Sequence, residues 1–237
     1  MVPAAVPIGM PNRIAEELQS VGDDAGAADF ARAALAAVRT SGLAASLHLD
    51  VLPTLARAHP AALADCAHLL MILHGHAPSL FELAEHGQRA VSGWHAQLRV
   101  AFDEDRRWLA RLAALTGSAL DLCGLSTAEQ RVREQRDAML TLARSSRAGC
   151  ALGAAATLAL DWAVLRDTLG RAATGAGFDC RDLAASDWPE ADADAVLAAA
   201  CEAGPTRRAV TFGLTQMASL HGQLFALLEA RHSVRVG

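Results

Sequence analysis

An acidic residue and a histidine three positions apart, Asp65 and His68, are the side chains whose types and spacing best suit chemistry. Every other position from 61 to 73 is apolar. Residues three apart share one face of a helix, so both side chains can reach one ligand. The pair predicts either a binding site or two buried side chains that bond to each other or to neighbours.

A carboxylate and an imidazole at this spacing form half of the ligand set of di-metal sites in helical bundles. The rest of the set is not found: Glu134 and Asp137 have no histidine three residues on, and His221 has no acid three residues before it. Pairing across a turn near residue 77 would also place Asp65 opposite residue 90, roughly 22 Å from Asp105 at 1.5 Å per residue. We therefore predict no bound metal and no cofactor.

Asp105 is a second candidate, because it lies at an apolar-face position of a long helical segment. If that segment pairs with the next one across a turn near residue 121, Asp105 lies opposite residue 138, within a turn of Gln135. Polar residues at core positions fix helix register, so an Asp–Gln hydrogen bond is predicted. A ligand-binding or catalytic carboxylate is the alternative.

Residues 149–157 are nearly all small, and the same pairing places them level with Gly87, Ala90, Asp65 and His68. Small side chains either let two helices approach closely or leave a pocket between them. The pocket alternative gives a set of candidate ligand-binding residues. They are Asp65, His68, His86, Trp94 and Asp105.

The other ionisable residues are weaker candidates. His74 and His76 are predicted at a helix C-terminus, where the helix dipole favours an imidazolium. Arg131, Arg133 and Arg136 alternate with acidic residues, which predicts a solvated, salt-bridged face rather than an anion site. The sequence contains no GxSxG, P-loop, dinucleotide-binding or HExxH motif, so it does not support a serine hydrolase, a nucleotide enzyme or a zincin.

Composition limits the class of protein further. Of 237 residues 52% are hydrophobic but only 4% are aromatic, and the net charge is -5. Few aromatic and β-branched residues argue against an all-β fold, and the negative charge argues against a nucleic-acid partner. Five scattered cysteines predict reduced, mostly buried thiols. The most apolar run, 148–160, is shorter than the ~20 residues of a membrane span, so we predict a buried helix, no membrane partner and a cytoplasmic location.

Apolar residues recur at three-four spacing nearly throughout, which predicts an all-α fold. We expect an antiparallel up-down helical bundle with extra N-terminal helices. Residues 1–11 are predicted to form an extended arm, and 12–237 a single helical domain whose core bundle covers 60–173 and 205–232. Capping boxes are predicted at Ser79 with Glu82 and at Ser126 with Glu129.

The predicted helices cover most of the chain. Segments 80–116 and 126–173 each fit one helix or two, with a break near 145–149 in the second, and Pro53 should break or kink the third helix. A loop is expected at 175–188. The helices are predicted at 12–20, 25–40, 43–57, 60–74, 80–116, 126–173, 187–202 and 205–232.

Three runs resemble a bacterial all-helical family of unknown function: HLLMILHGHAPSLFELA (68–84), GCALGAAATLALDW (149–162) and LLEAR (227–231). The resemblance spans about 60–232 and implies a helical fold but no activity. Asp65 and His68 also resemble ferritin-like bundle proteins, which implies a metal-dependent enzyme or metal-binding bundle as the alternative function. The leading interpretation is a non-catalytic, homo-oligomeric bundle that acts through interaction or by binding a small apolar ligand.

Overall fold

The computed structural model describes residues 10–21, 25–87, 92–179, 188–189 and 192–236, and none of these residues lies in a β-strand. The all-α prediction is confirmed. Nine residues of the predicted arm, 1–9, lie outside the described part. Short 3-10 turns occupy Leu43–Ala45 and Gly117–Ala119. The helices are α1 (Met10–Ser20), α2 (Ala27–Ser41), α3 (Leu47–Ala58), α4 (Pro60–His74), α5 (Leu80–Gly87), α6 (Ser92–Thr116), α7 (Leu125–Ala143), α8 (Cys150–Gly175), α9 (Ala193–Ala200) and α10 (Gly204–Val236).

Helix α8 forms the centre of the protein. Its residues 150–162 are all buried, and α2, α3, α5, α6, α7 and α10 pack around it. A helix that is apolar on every side must be surrounded by other elements. The prediction of a buried helix in this apolar part of the chain is confirmed.

Two long predicted segments are each divided into two helices. Segment 80–116 forms α5 and α6, and segment 126–173 forms α7 and α8, with the predicted break near 145–149 between them. Gly149 precedes α8 with φ of 100°. This left-handed conformation favours glycine, so the position of the second break is encoded in the sequence.

The two capping boxes have different outcomes. Ser79 N donates to Oε2 of Glu82 at 2.6 Å and Glu82 N donates to Oγ of Ser79 at 3.2 Å, so the first box is confirmed. The second prediction is wrong, because α7 already begins at Leu125, after Gly124. The carboxylate of Glu129 bonds to other side chains instead.

Helix α3 runs through Pro53 without a break. Proline removes one backbone hydrogen bond from a helix interior. The apolar face of α3, including Leu49, Leu52 and Ala56, is buried, and α3 packs along α8. This tertiary packing maintains the helix across the proline.

Helices α8 and α10 lie side by side and run parallel. Gly149 meets Thr206 near the start of the contact, and Asp161 meets His221 further along, so residue numbers rise together on both helices. The predicted up-down order does not describe this pair. The connection through α9 separates the two helices and allows the chain to return before α10 begins.

Helix α4 packs against both α6 and α7. The start of α4 lies near the end of α6, because Asp65 and Asp121 share Arg235. The end of α4 lies further back along α6, because His74 packs on Phe102. Helices α4 and α6 are therefore antiparallel. The predicted pairing of Asp65 with residue 90 lies outside the described residues.

Cysteines 66, 150 and 201 are free and buried, whereas Cys123 is free and exposed, as expected for mostly buried thiols. Burial raises the pKa of the Cys66 thiol to about 12. Over the described ranges, no helix combines the length and the apolar character needed to cross a membrane.

Candidate functional site

Three buried side chains, Asp161, His221 and His74, form a hydrogen-bonded chain that joins α8, α10 and α4. Oδ2 of Asp161 lies 2.5 Å from Nδ1 of His221, and Nε2 of His221 lies 3.2 Å from Nε2 of His74. Each of the three residues is at most 2% exposed. A carboxylate next to Nδ1 fixes the proton on that nitrogen. Nε2 of His221 is then left to share a proton with His74, and we call these three residues the buried triad.

The second oxygen of Asp161 is held by the backbone between α2 and α3. Leu43 N donates to Oδ1 of Asp161 at 3.0 Å. A Cβ atom on Gly42 would lie 2.9 Å from the same oxygen, so glycine allows the backbone to approach closely. The carboxylate of Asp161 thus has a donor on each oxygen, as a buried carboxylate requires.

His74 is the end of the buried triad and lies in an aromatic environment. Its ring contacts Trp162 and Phe102 edge to face, with centroid distances of 5.5 Å and 5.9 Å. Its Nδ1 is buried and has no hydrogen-bond partner among the described residues. Burial lowers the pKa of His74 well below its usual value, and the nearby His221, Arg136 and Arg106 lower it further.

Asp105 adjoins the buried triad through Trp162. Nε1 of Trp162 donates to Oδ2 of Asp105 at 2.8 Å, and Nε of Arg166 forms an ion pair with the same oxygen at 2.8 Å. Burial raises the pKa of Asp105 to about 6, although the Trp162 hydrogen bond and the Arg166 charge oppose the rise. The predicted bond to Gln135 is wrong, because α6 packs mainly on α4 and α5 while α7 packs mainly on α4 and α8.

Asp65 is bound by two arginines from the end of α10. Arg231 contacts both carboxylate oxygens, at 2.9 Å and 3.1 Å, and Nη2 of Arg235 lies 2.6 Å from Oδ2. The Asp65 side chain is only 3% exposed. This arrangement agrees with the predicted alternative in which neighbouring residues satisfy the carboxylate.

His68 bonds to α7, whereas Asp65 on the same helix bonds to α10. Its Nε2 lies 2.7 Å from Oε1 of Glu129 on α7, and Nη2 of Arg133 donates to the other oxygen of Glu129 at 2.8 Å. The hydrogen bonds from His68 and Arg133 lower the pKa of Glu129. Asp65 and His68 share a helix face as predicted, but they engage separate partners.

Trp94 and His86 are the two further predicted ligand-binding residues. Trp94 is buried, and its Nε1 donates to the carbonyl oxygen of Pro189 at 2.9 Å. The side chain of His86 lies outside the described part of the structure.

The prediction of a solvated arginine face on α7 is wrong for Arg136. Its guanidinium donates to the carbonyl oxygens of Leu73, His76 and Pro78, at 2.9 Å, 2.8 Å and 3.1 Å. These carbonyl groups lie at the C-terminal end of α4 or just after it, where no backbone N–H of the helix is available to bond them. Arg136 therefore holds the segment that follows His74, whereas Arg133 forms the predicted surface pair with Glu129.

The small residues 149–157 pack closely against α10. A Cβ atom on Gly153 would overlap the backbone of Val210, and one on Gly213 would overlap the backbone of Cys150. The two helix backbones are in direct contact here. The close-contact alternative is confirmed for the face of α8 that meets α10.

A family model matches residues 38–236, and its description is a family of unknown function, DUF6975. The chain belongs to this family. The general form of the predicted resemblance, to a family without assigned function, is confirmed. Neither a curated protein nor a solved structure matches the chain.

The DUF6975 match contains the whole buried triad, which sequence reasoning missed. His221 continues the inward spacing of Met217, Leu224 and Leu228 on α10, and this was the available signal. His95 is also fully buried on α6, and neither of its ring nitrogens has a hydrogen-bond partner within the described residues. Buried polar groups without partners are rare in proteins and call for an explanation.

No three His, Cys, Asp or Glu side chains within the described ranges are arranged to hold a metal ion. The chemistry that the buried triad can perform is proton sharing. Its two imidazoles and one carboxylate are ordered by short contacts and removed from water.

Proposed function

We propose that this protein acts by binding, as a non-catalytic interaction or small-ligand-binding protein. The supporting observation is that side chains with catalytic potential are paired within the protein. Asp65 binds two arginines, His68 binds Glu129, and Asp105 binds Trp162 and Arg166. A general acid or base must come within hydrogen-bond reach of a substrate. In this protein the same groups bond one helix to another.

Elemental analysis of the purified native protein tests the proposal against the metal-dependent alternative. We expect less than one transition metal ion per ten chains, and the same stability with and without chelator. A stoichiometric metal that is lost in the double variant Asp65→Ala, His68→Ala would overturn the proposal. His76→Ala is the matched control, because His76 is exposed and its loss removes one histidine away from both residues.

If the protein acts through interaction, its partner is a second copy of the same chain. Exposed apolar side chains on α3 support it: Leu47 is 78% exposed and Val51, one turn on, is 47% exposed. Light scattering should give a mass above the 24.7 kDa of one chain, and Leu47→Glu with Val51→Glu should lower it. Val100→Glu on α6 is the control, since Val100 is also exposed. A monomer at all concentrations excludes this form.

The small-ligand form is supported by His95, whose ring nitrogens would gain hydrogen bonds from a bound molecule. Native mass spectrometry of the wild-type protein should then show a co-purified small molecule that His95→Leu loses and His76→Leu retains. A wild-type protein that carries no adduct excludes this form.

A further inference from the structure

The contact between His74 and His221 can hold only one proton. The two Nε2 atoms are 3.2 Å apart, so one must donate and the other accept. His221 already has its Nδ1 proton fixed by Asp161 at 2.5 Å. If both Nε2 atoms carried a proton, two donors and two positive rings would face each other without an acceptor. An added proton can first enter at Nδ1 of His74, which has no partner among the described residues, and this leaves the contact intact. A further proton can enter only between the two Nε2 atoms, and it breaks the bond.

We propose that the His74–His221 pair is an acid-sensitive latch, which fastens the C-terminal end of α4 to α10 and releases it when both Nε2 atoms of the contact are protonated. The latch holds the end of α4 and the residues that follow it. His74 is the last residue of α4, and Arg136 binds the carbonyls of Leu73, His76 and Pro78 around it. Release of His74 frees this segment from α10 and withdraws the imidazole edge from the Trp162 ring.

Charged groups on each helix around His74 set the pH of release. The charge of Asp161 is satisfied by His221 and by Leu43 N, so it offers no second partner to His74. Arg136 and Arg106 repel a proton on His74, and Glu82 lies 3.8 Å from Arg106. Release therefore requires a pH on the acid side of the usual histidine range. The groups that act on His74 directly are His221 on α10, Arg136 on α7 and Arg106 on α6. Asp161 on α8, Asp105 on α6 and Glu82 on α5 contact the neighbours of His74, which are His221, Trp162 and Arg106.

Nuclear magnetic resonance of ¹⁵N-histidine-labelled wild-type protein follows the latch directly. As the pH falls from 7, the Nε2 signals of His74 and His221 should change together in one step, while the far-ultraviolet circular dichroism of the helices is retained. Hydrogen exchange of residues 72–79, corrected for its intrinsic pH dependence, should accelerate about tenfold for each pH unit below the step. Residues 150–157 should stay protected through the same range.

Two variants separate the latch from general acid lability. His74→Phe keeps an aromatic ring against Trp162 and removes the shared proton, so the step in the His221 signal and the exchange change in 72–79 should disappear. His76→Ala removes an exposed histidine from the same segment, and it should leave the step unchanged. If the two Nε2 signals stay constant until the whole protein unfolds, or move independently of each other, the latch is refuted. The wild-type experiment decides this even if His74→Phe does not fold.

Discussion

Helices α8 and α10 are joined in two different ways along one parallel contact. Near their N-terminal ends Gly153 and Gly213 bring the two backbones together without a charged group. Further along, Asp161 and His221 join the helices through a buried hydrogen bond that continues to His74 on α4. The first region fixes the distance between the helices, and the second fixes their register and adds a third helix. Only the second region can respond to pH.

Gly153→Ala should have the largest effect, because it breaks the first region. The new Cβ atom overlaps the backbone of Val210, which cannot rotate away, so we expect a loss of about 3 kcal/mol, at the upper end of overpacking costs. Gly222→Ala on α10 is the control, since a Cβ atom added there would meet open space; it should stabilise by about 0.5 kcal/mol. Urea unfolding measures both. Equal stability of the two variants would contradict direct backbone contact.

Asp161→Asn should have the next largest effect, because it disturbs the second region. The amide keeps one oxygen acceptor but cannot serve both Leu43 N and Nδ1 of His221, so we expect a loss of about 2 kcal/mol at pH 7. Asp167→Asn on the same helix is the control. Asp167 is exposed and pairs with Arg171 at the surface, and such pairs contribute less than about 1 kcal/mol. Similar losses in both variants would show that the Asp161 carboxylate is not buried and bonded as described.

His95→Leu should stabilise the protein by about 1 kcal/mol at pH 7, because it removes two buried ring nitrogens without partners. Burial lowers the pKa of His95 to about 4, although Glu85 opposes the shift. In the unfolded chain His95 therefore binds a proton as the pH falls through 6.5, whereas in the folded chain it stays neutral until the pH is near 4. The contribution of neutral, buried His95 to stability is fully present above pH 6.5 and is lost as the pH falls toward 4, so His95→Leu should reduce the pH slope of stability in that range by up to about 1.4 kcal/mol per pH unit. An unchanged slope would contradict the neutral, buried state of His95.

Glu129→Gln should have the smallest effect. The Glu129 and His68 side chains are 21% and 31% exposed, and partly exposed pairs contribute about 0.5 kcal/mol or less. Thermal unfolding at low and high salt should show a small difference that salt reduces. A loss comparable to that of Asp161→Asn would mean that the α4–α7 contact depends on charge as strongly as the buried triad does.

Local features of the fold could be predicted from the sequence, and relative helix placement could not. Three-four spacing located the helices, and the Ser79–Glu82 box and Gly149 marked two boundaries, because these signals act over a few residues. The parallel contact of α8 and α10 depends on how these two helices are placed relative to each other, although 28 residues, 176–203, separate them in the chain. The prediction of an up-down order therefore paired the wrong faces.

The candidate site was harder to predict for the same reason. The Asp65–His68 pair was visible because both residues lie on one helix, and the structure binds each to a residue elsewhere in the chain. Asp161, His221 and His74 lie on three helices, so their proximity depends on the relative placement that sequence spacing does not encode. His221 at an inward position of α10 was a local signal of one member of the buried triad.

Scalar coupling across the hydrogen bond between Nε2 of His74 and Nε2 of His221 tests the central claim most directly. It can be measured on ¹⁵N-histidine-labelled wild-type protein at pH 7. The structure predicts a resolved nitrogen–nitrogen coupling between these two atoms, together with a protonated Nδ1 on His221. Absence of the coupling in folded protein, with both Nε2 atoms showing separate partners or free exchange with water, would contradict the buried triad.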